Sequence, residues 1–118
     1  MNLNHICLTV KRAAESRDWY VGSLGLKLEH EDPKSGFVGL EDHGGFGLLL
    51  QQGDLKTDPA AILSIYFEVE NVDDLHRELA AKGSRFEHPP KQTGWGYGPE
   101  IKDPNGYVIR FFDSRSKS

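Results

Sequence analysis

The chain repeats itself, and the repeat limits its architecture more than any other feature. His5-Ile6-Cys7-Leu8-Thr9-Val10 alternates apolar and polar residues, and Ser64-Ile65-Tyr66-Phe67-Glu68-Val69 does the same further on. Such alternation puts every second side chain on one face of a strand. A helix is expected over Ala13–Leu24, closed by Gly25 in the left-handed position that glycine takes most easily. Its counterpart starts at Asn71 as N-cap, lines up Val72, Leu75 and Leu79 on one face, and stops at Gly83. After each helix comes the same local string: Gly25-Leu26-Lys27-Leu28-Glu29-His30 matches Gly83-Ser84-Arg85-Phe86-Glu87-His88. Each half then closes on a glycine turn and a strand, Gly45-Phe46-Gly47-Leu48-Leu49 against Gly106-Tyr107-Val108-Ile109-Arg110.

In the first half the remaining strands are expected at Leu26–Glu31, Phe37–Glu41 and Phe46–Gln51. Turns separate them at Asp32–Gly36 and Asp42–Gly45. The offset between matching segments drifts from 58 to 61 residues, as small insertions in helix and loop would produce. The fold class is therefore α+β: two βαβββ modules, at about 1–52 and 60–113, with a linker at 53–59 and a polar tail at 114–118. A lone four-stranded sheet with one helix leaves its second face bare, so the modules are half-folds within one domain. Paired, they are expected to form a curved mixed sheet around a cleft, with the helices on the outer face.

Composition narrows the function classes. Of the 118 residues 37% are hydrophobic, 27% charged and 10% aromatic, which argues against disorder. The single cysteine, Cys7, excludes an internal disulfide and any zinc finger built on several thiolates. The net charge of −4, with no run of Lys or Arg, argues against a nucleic-acid partner. No apolar stretch approaches the ~20 residues of a membrane span. Lys11 and Arg12 follow the first apolar run rather than precede it, the reverse of a signal peptide, and a cytoplasmic location is expected.

With this architecture in view, three stretches make the chain resemble the vicinal oxygen chelate superfamily of glyoxalase I, extradiol dioxygenases and fosfomycin and bleomycin resistance proteins. His5-Ile6 opens the first strand, and Trp19-Tyr20-Val21-Gly22-Ser23-Leu24-Gly25-Leu26 carries the aromatic-Tyr and Leu-Gly-Leu pattern. Lys102-Asp103-Pro104-Asn105-Gly106-Tyr107-Val108-Ile109 carries the Asp-Pro-x-Gly turn before the last strand. The similarity runs from about residue 3 to 113. Metal-dependent members take their ligands from the first and last strands of each module, where carboxylates and imidazoles hold a divalent ion. The internal repeat places these positions at His5, Leu49, Ser64 and Arg110, where the family's usual residues after the first are Glu, His and Glu.

Only His5 suits that role. Leu49 has no donor atom, neutral Ser64 is a poor ligand, and Arg110 is a fixed cation with no acceptor. A guanidinium about 5 Å from a divalent ion is disfavoured by several kcal/mol at an effective dielectric near 20. No metal and no cofactor is expected at the usual site, which argues against glyoxalase I or dioxygenase activity. The alternative is a lyase, isomerase or dioxygenase with a non-standard divalent metal site, built from His5 with Glu41, His43 or Glu100.

The resemblance then points to the metal-free branch of bleomycin-resistance-type proteins, which bind a small molecule without changing it, usually as homodimers. The run Gln92-Thr93-Gly94-Trp95-Gly96-Tyr97-Gly98 reads as a pliable loop of rings and glycines, suited to stacking on a planar or cationic ligand. The expected ligand contacts are His5, Cys7, Leu49, Ser64, Tyr66, Trp95, Tyr97, Arg110 and Phe112. Plainer roles stand beside these. Cys7 suits a small filler, Arg110 suits a cross-strand pair with Glu68, and Trp95 and Tyr97 suit a subunit contact. Trp19 and Tyr20 are assigned to the helix–sheet core or the dimer contact.

Overall fold

The computed structural model describes residues 1–114. The polar tail expected at 114–118 therefore lies, apart from Ser114, outside the described residues. The chain divides into two compact units, Met1–Thr57 and Asp58–Ser118, and each follows the order β-α-β-β-β. Unit 1 holds β1 (His5–Val10), α1 (Ala13–Leu24), β2 (Lys27–Asp32), β3 (Phe37–Glu41) and β4 (Gly47–Gln52). Unit 2 holds β5 (Ser64–Glu68), α2 (Val72–Ala81), β6 (Phe86–Thr93), β7 (Gly96–Lys102) and β8 (Val108–Phe112), preceded by a single 3₁₀ turn at Pro59–Ala61.

Each unit forms its own four-stranded mixed sheet, ordered β1-β4-β3-β2 in the first and β5-β8-β7-β6 in the second. The first strand of each unit runs parallel to its last, and the other neighbours are antiparallel. The two-residue side-chain period decides which face each helix covers. In unit 1, Leu8, Val10, Val38, Leu40, Leu48 and Leu50 are buried on the face toward α1, joined by Ala13 and Tyr20 from the helix. In unit 2, Ile101, Ile109 and Phe111 are buried with Val72 and Leu79 of α2. The full burial of Tyr20 settles its place in the helix–sheet core, with Trp19 edge-on to it at a ring distance of 4.9 Å.

The repeat extends to individual hydrogen bonds. The turn before each last strand is closed by an aspartate whose Oδ1 accepts backbone N–H groups: Asp42 from Gly44 (2.9 Å) and Phe46 (2.8 Å), Asp103 from Asn105 (2.8 Å), Gly106 (3.0 Å) and Tyr107 (2.9 Å). The Asp-Pro-x-Gly signature is thus a turn-building device, in which the carboxylate substitutes for missing ladder partners. A residue at the end of β4, Gln52, and one just past β8, Asp113, each bond the first turn of their unit's helix. Gln52 Oε1 accepts from Ala13 N–H and Asp113 Oδ2 from Val72 N–H, both at 2.9 Å. Asn71 adds the expected N-cap, its side chain accepting from Asp74 N–H at 3.0 Å.

Both helices end on glycine in the left-handed region, Gly25 at φ 74° and Gly83 at φ 96°. Gly25 N–H bonds to Val21 O and Leu26 N–H to Tyr20 O, which ties up Leu26 and delays β2 to Lys27. Among the described residues, no helix is long and apolar enough to cross a membrane.

Candidate functional site

The sheet faces turned away from the helices carry the polar side chains, and the two units differ there. Register places Cys7, Leu49, Gly39 and His30 in one row across sheet 1. The equivalent row of sheet 2 is Tyr66, Arg110, Glu100 and His88. The first row is largely small or apolar. The second brings together a phenol, a guanidinium, a carboxylate and an imidazole.

Arg110 organises this row. Its Nε–H donates to Glu100 Oε1 at 2.8 Å and its Nη1–H to the Tyr66 hydroxyl at 2.5 Å. Burial works against the guanidinium charge, but the bonds to Glu100 and Tyr66 outweigh it and hold the Arg110 pKa above its usual value. The pair is half-buried, with 25% of the Arg110 side chain and 18% of Glu100 exposed. Glu68, the partner expected from sequence, is opposite Phe112 in the ladder, while Arg110 is opposite Tyr66 on one side and Glu100 on the other.

Trp95 overhangs the row. The stretch read as a pliable loop is a tight hairpin, in which only Gly94 and Trp95 lie between β6 and β7. Thr93 fixes it, its Oγ1–H donating to Gly96 O at 2.5 Å and its oxygen accepting from Trp95 N–H at 3.2 Å. The indole lies near Gly98, where an added Cβ would be 3.4 Å from the Trp95 ring. Its ring centroid is 5.7 Å from Tyr66 and 6.4 Å from His88, and Arg110 Cζ lies 5.3 Å from it. Arg110 Cζ is also 5.5 Å from the Tyr66 ring, whose residue is 44% exposed. His88 Nδ1 bonds Pro89 O at 2.8 Å, and since a carbonyl oxygen only accepts, Nδ1 carries a proton.

Of the nine residues singled out from sequence, Tyr66, Trp95 and Arg110 converge at this one place. Ser64 and Phe112 lie on the same face of sheet 2, two residues along β5 and β8. Tyr97 points the other way. Its hydroxyl donates to Asp73 Oδ1 of α2 at 3.0 Å, because alternate residues of a strand face opposite sides and Gly96 and Gly98 hold the Trp95 side. His5, Cys7 and Leu49 belong to unit 1. The His5 ring lies over Gly47, where an added Cβ would meet it at 2.2 Å. Glu100 and His88 were not among the nine. Counting back from the Asp103 turn would have found Glu100, since Lys102 pairs with Val108 and Glu100 with Arg110.

A divalent ion does not fit the donors at the positions the resemblance assigns. These hold His5, Leu49, Ser64 and Arg110, and the guanidinium is already bonded to Glu100. His5 and Glu41 share a face of sheet 1, but both pair with Gly47 and so stand on opposite sides of β4. Within each unit, no group of three His, Cys, Asp or Glu side chains among the described residues is placed to hold an ion. A depression of about 480 Å³ at the start of α2, lined by residues such as Glu70, Asn71, Asp74 and Glu78, offers carboxylates and no ring.

A family model described as Glyoxalase/Bleomycin resistance protein/Dioxygenase superfamily matches residues 2–111. No curated protein matches the chain. Among solved structures, one described as a possible glyoxalase from Bacillus cereus is 23% identical with a TM-score of 0.78, the match covering 95% of this chain and 98% of that one. TnmS3, an antibiotic binding protein from Streptomyces sp. CB03234, is 22% identical with a TM-score of 0.80, covering 96% and 95%. A superfamily member from Sphaerobacter thermophilus DSM 20745 is 20% identical with a TM-score of 0.80, covering 97% and 98%. At these identities the likeness is one of fold.

Proposed function

Because the chain belongs to the Glyoxalase/Bleomycin resistance protein/Dioxygenase superfamily, we propose that it is a small-molecule-binding member that works without a metal and leaves its ligand unchanged. One observation carries this reading. At the position where a metal-dependent relative would have its last ligand, Arg110 is bonded to Glu100 and Tyr66 and lies beside the Trp95 ring. The same replacement that removes a metal donor completes an aromatic and polar binding face. Such a combination, rings for contact area and a few fixed polar groups for orientation, is the usual makeup of a ligand site.

The fold likeness to TnmS3, an antibiotic binding protein, supports sequestration of an antibiotic or another partly aromatic compound as the biological role. In this reading the protein is a cytoplasmic homodimer.

The test is saturable quenching of Trp95 fluorescence by aromatic compounds, with Trp95→Phe separating its signal from that of Trp19. The ligand should be recovered chemically intact after long incubation. Conversion of the ligand, or a divalent metal bound one per chain and lost in His5→Ala, overturns the proposal.

A further inference from the structure

We infer that the Trp95 face selects an uncharged planar aromatic bearing a carbonyl or amide oxygen, and discriminates against aromatic cations and carboxylates alike. The inference rests on the reading that this face binds a small molecule, and it fixes the charge class of that molecule.

Two ring faces close together ordinarily attract a cation, through the negative charge of their π-clouds. Here the chain supplies its own. Arg110 Cζ lies 5.3 Å from the Trp95 ring and 5.5 Å from the Tyr66 ring, so the attraction is already used. A cationic ligand at the same rings meets a fixed like charge that cannot be deprotonated. An anionic ligand fares no better. Glu100 lies 2.8 Å from Arg110 Nε, and the half-buried pair is neutral as a whole. A carboxylate brought to the guanidinium faces a second carboxylate beside it and loses its own hydration.

Directional hydrogen bonds without net charge remain. The guanidinium has five N–H groups, and the described bonds to Glu100 and Tyr66 use two of them. The Tyr66 hydroxyl, accepting from Arg110, keeps its own proton to donate. His88, its ring 6.4 Å from Trp95, has Nδ1–H held by Pro89 O, which leaves Nε2 as its second polar atom. A flat ring stacked on the indole can give its carbonyl oxygen to Arg110 or Tyr66, with His88 Nε2 as a further polar contact.

Three probes of matched size test this: 2-naphthamide, 2-naphthoate and N-methylquinolinium, titrated by Trp95 quenching against the wild-type protein. The amide should bind at least tenfold more tightly than either ion. In Arg110→Met the ring faces are released and Glu100 loses its cation, so N-methylquinolinium should become the preferred probe. Glu100→Gln gives a second, independent arm, in which the unpaired guanidinium should raise naphthoate above the amide. Both variants are checked for native far-UV circular dichroism. If the wild-type protein binds either ion as tightly as the amide, this inference is wrong while the binding reading stands. If none of the three quenches Trp95 saturably, both fall.

Discussion

Replacing Asp113 by Ala removes the acceptor that joins the last strand of unit 2 to the start of its helix. Val72 N–H donates to Asp113 Oδ2 at 2.9 Å, and both residues are buried, Val72 at 0% and Asp113 at 2% exposure. Water cannot replace the lost acceptor without opening the core, and a buried unmade bond costs about 1–3 kcal/mol. The carboxylate also faces the positive end of α2, an interaction of about 0.3–1 kcal/mol that the variant forfeits. The expected loss is therefore about 1.3–4 kcal/mol, which at this chain length lowers the melting temperature by roughly 5–16 °C. Asp113→Asn keeps an oxygen of the same shape, gives up only the charge, and should lose about 1 kcal/mol. Unit 1 supplies an internal comparison. Gln52 makes the equivalent bond to Ala13 N–H at 2.9 Å, but it is neutral and exposed to solvent, so Gln52→Ala should lose no more than about 1 kcal/mol. Urea unfolding followed by circular dichroism gives the three values, and amide hydrogen exchange at Val72 and Asp73 localises the effect. Asp113→Ala within about 0.5 kcal/mol of wild type, or no more destabilised than Asp113→Asn, would falsify the argument from burial.

Three further outcomes follow from the same geometry. An added Cβ at Gly98 lies 1.7 Å from the Phe111 carbonyl oxygen, so Gly98→Ala should lose about 3 kcal/mol or more, whereas at Gly47 the obstacle is the exposed His5 ring and the loss should stay under about 1 kcal/mol; thermal melts of the pair decide it. Asp103→Ala unbinds three backbone donors and should destabilise by about 2–4 kcal/mol in urea, against about 1 kcal/mol for the more exposed Asp42→Ala. Tyr97→Phe should lose about 1 kcal/mol through its bond to Asp73 while leaving 2-naphthamide affinity at Trp95 unchanged, which separates the two rings of the hairpin.

The modules were readable because each strand is a clean alternation and each helix ends on glycine. Ala13–Leu24 and Phe37–Glu41 have the bounds their residues imply. The small misses have local causes. Leu26 is used to close α1, and Phe46 N–H is bonded to Asp42 Oδ1, so β2 and β4 each begin one residue later than expected. The site was harder to read. Tyr66, Trp95 and Arg110 could be picked by residue type, but the hairpin that separates Trp95 from Tyr97 depends on the Thr93 hydroxyl, which composition does not reveal. His88 was hidden for another reason. The β6–β7 ladder shifts register between His88 and Lys91, so counting from the hairpin misplaces it.

The order β5-β8-β7-β6 places the end of unit 2's sequence at an interior position of its sheet. A nonsense codon or a protease cut just past the Asp103 turn would therefore act far upstream in the chain. It would strip Ser64–Glu68 of its ladder neighbour β8, remove the Asp113 acceptor at the start of α2, and leave Tyr66 and Glu100 facing each other across the gap left by Arg110. Ribosomal synthesis meets the same constraint. His5–Val10 has no ladder partner until Gly47–Gln52 has emerged, and Ser64–Glu68 waits likewise for Val108–Phe112. Each unit thus completes its sheet only when its last strand arrives, and the row around Trp95 is assembled only once Arg110 has emerged.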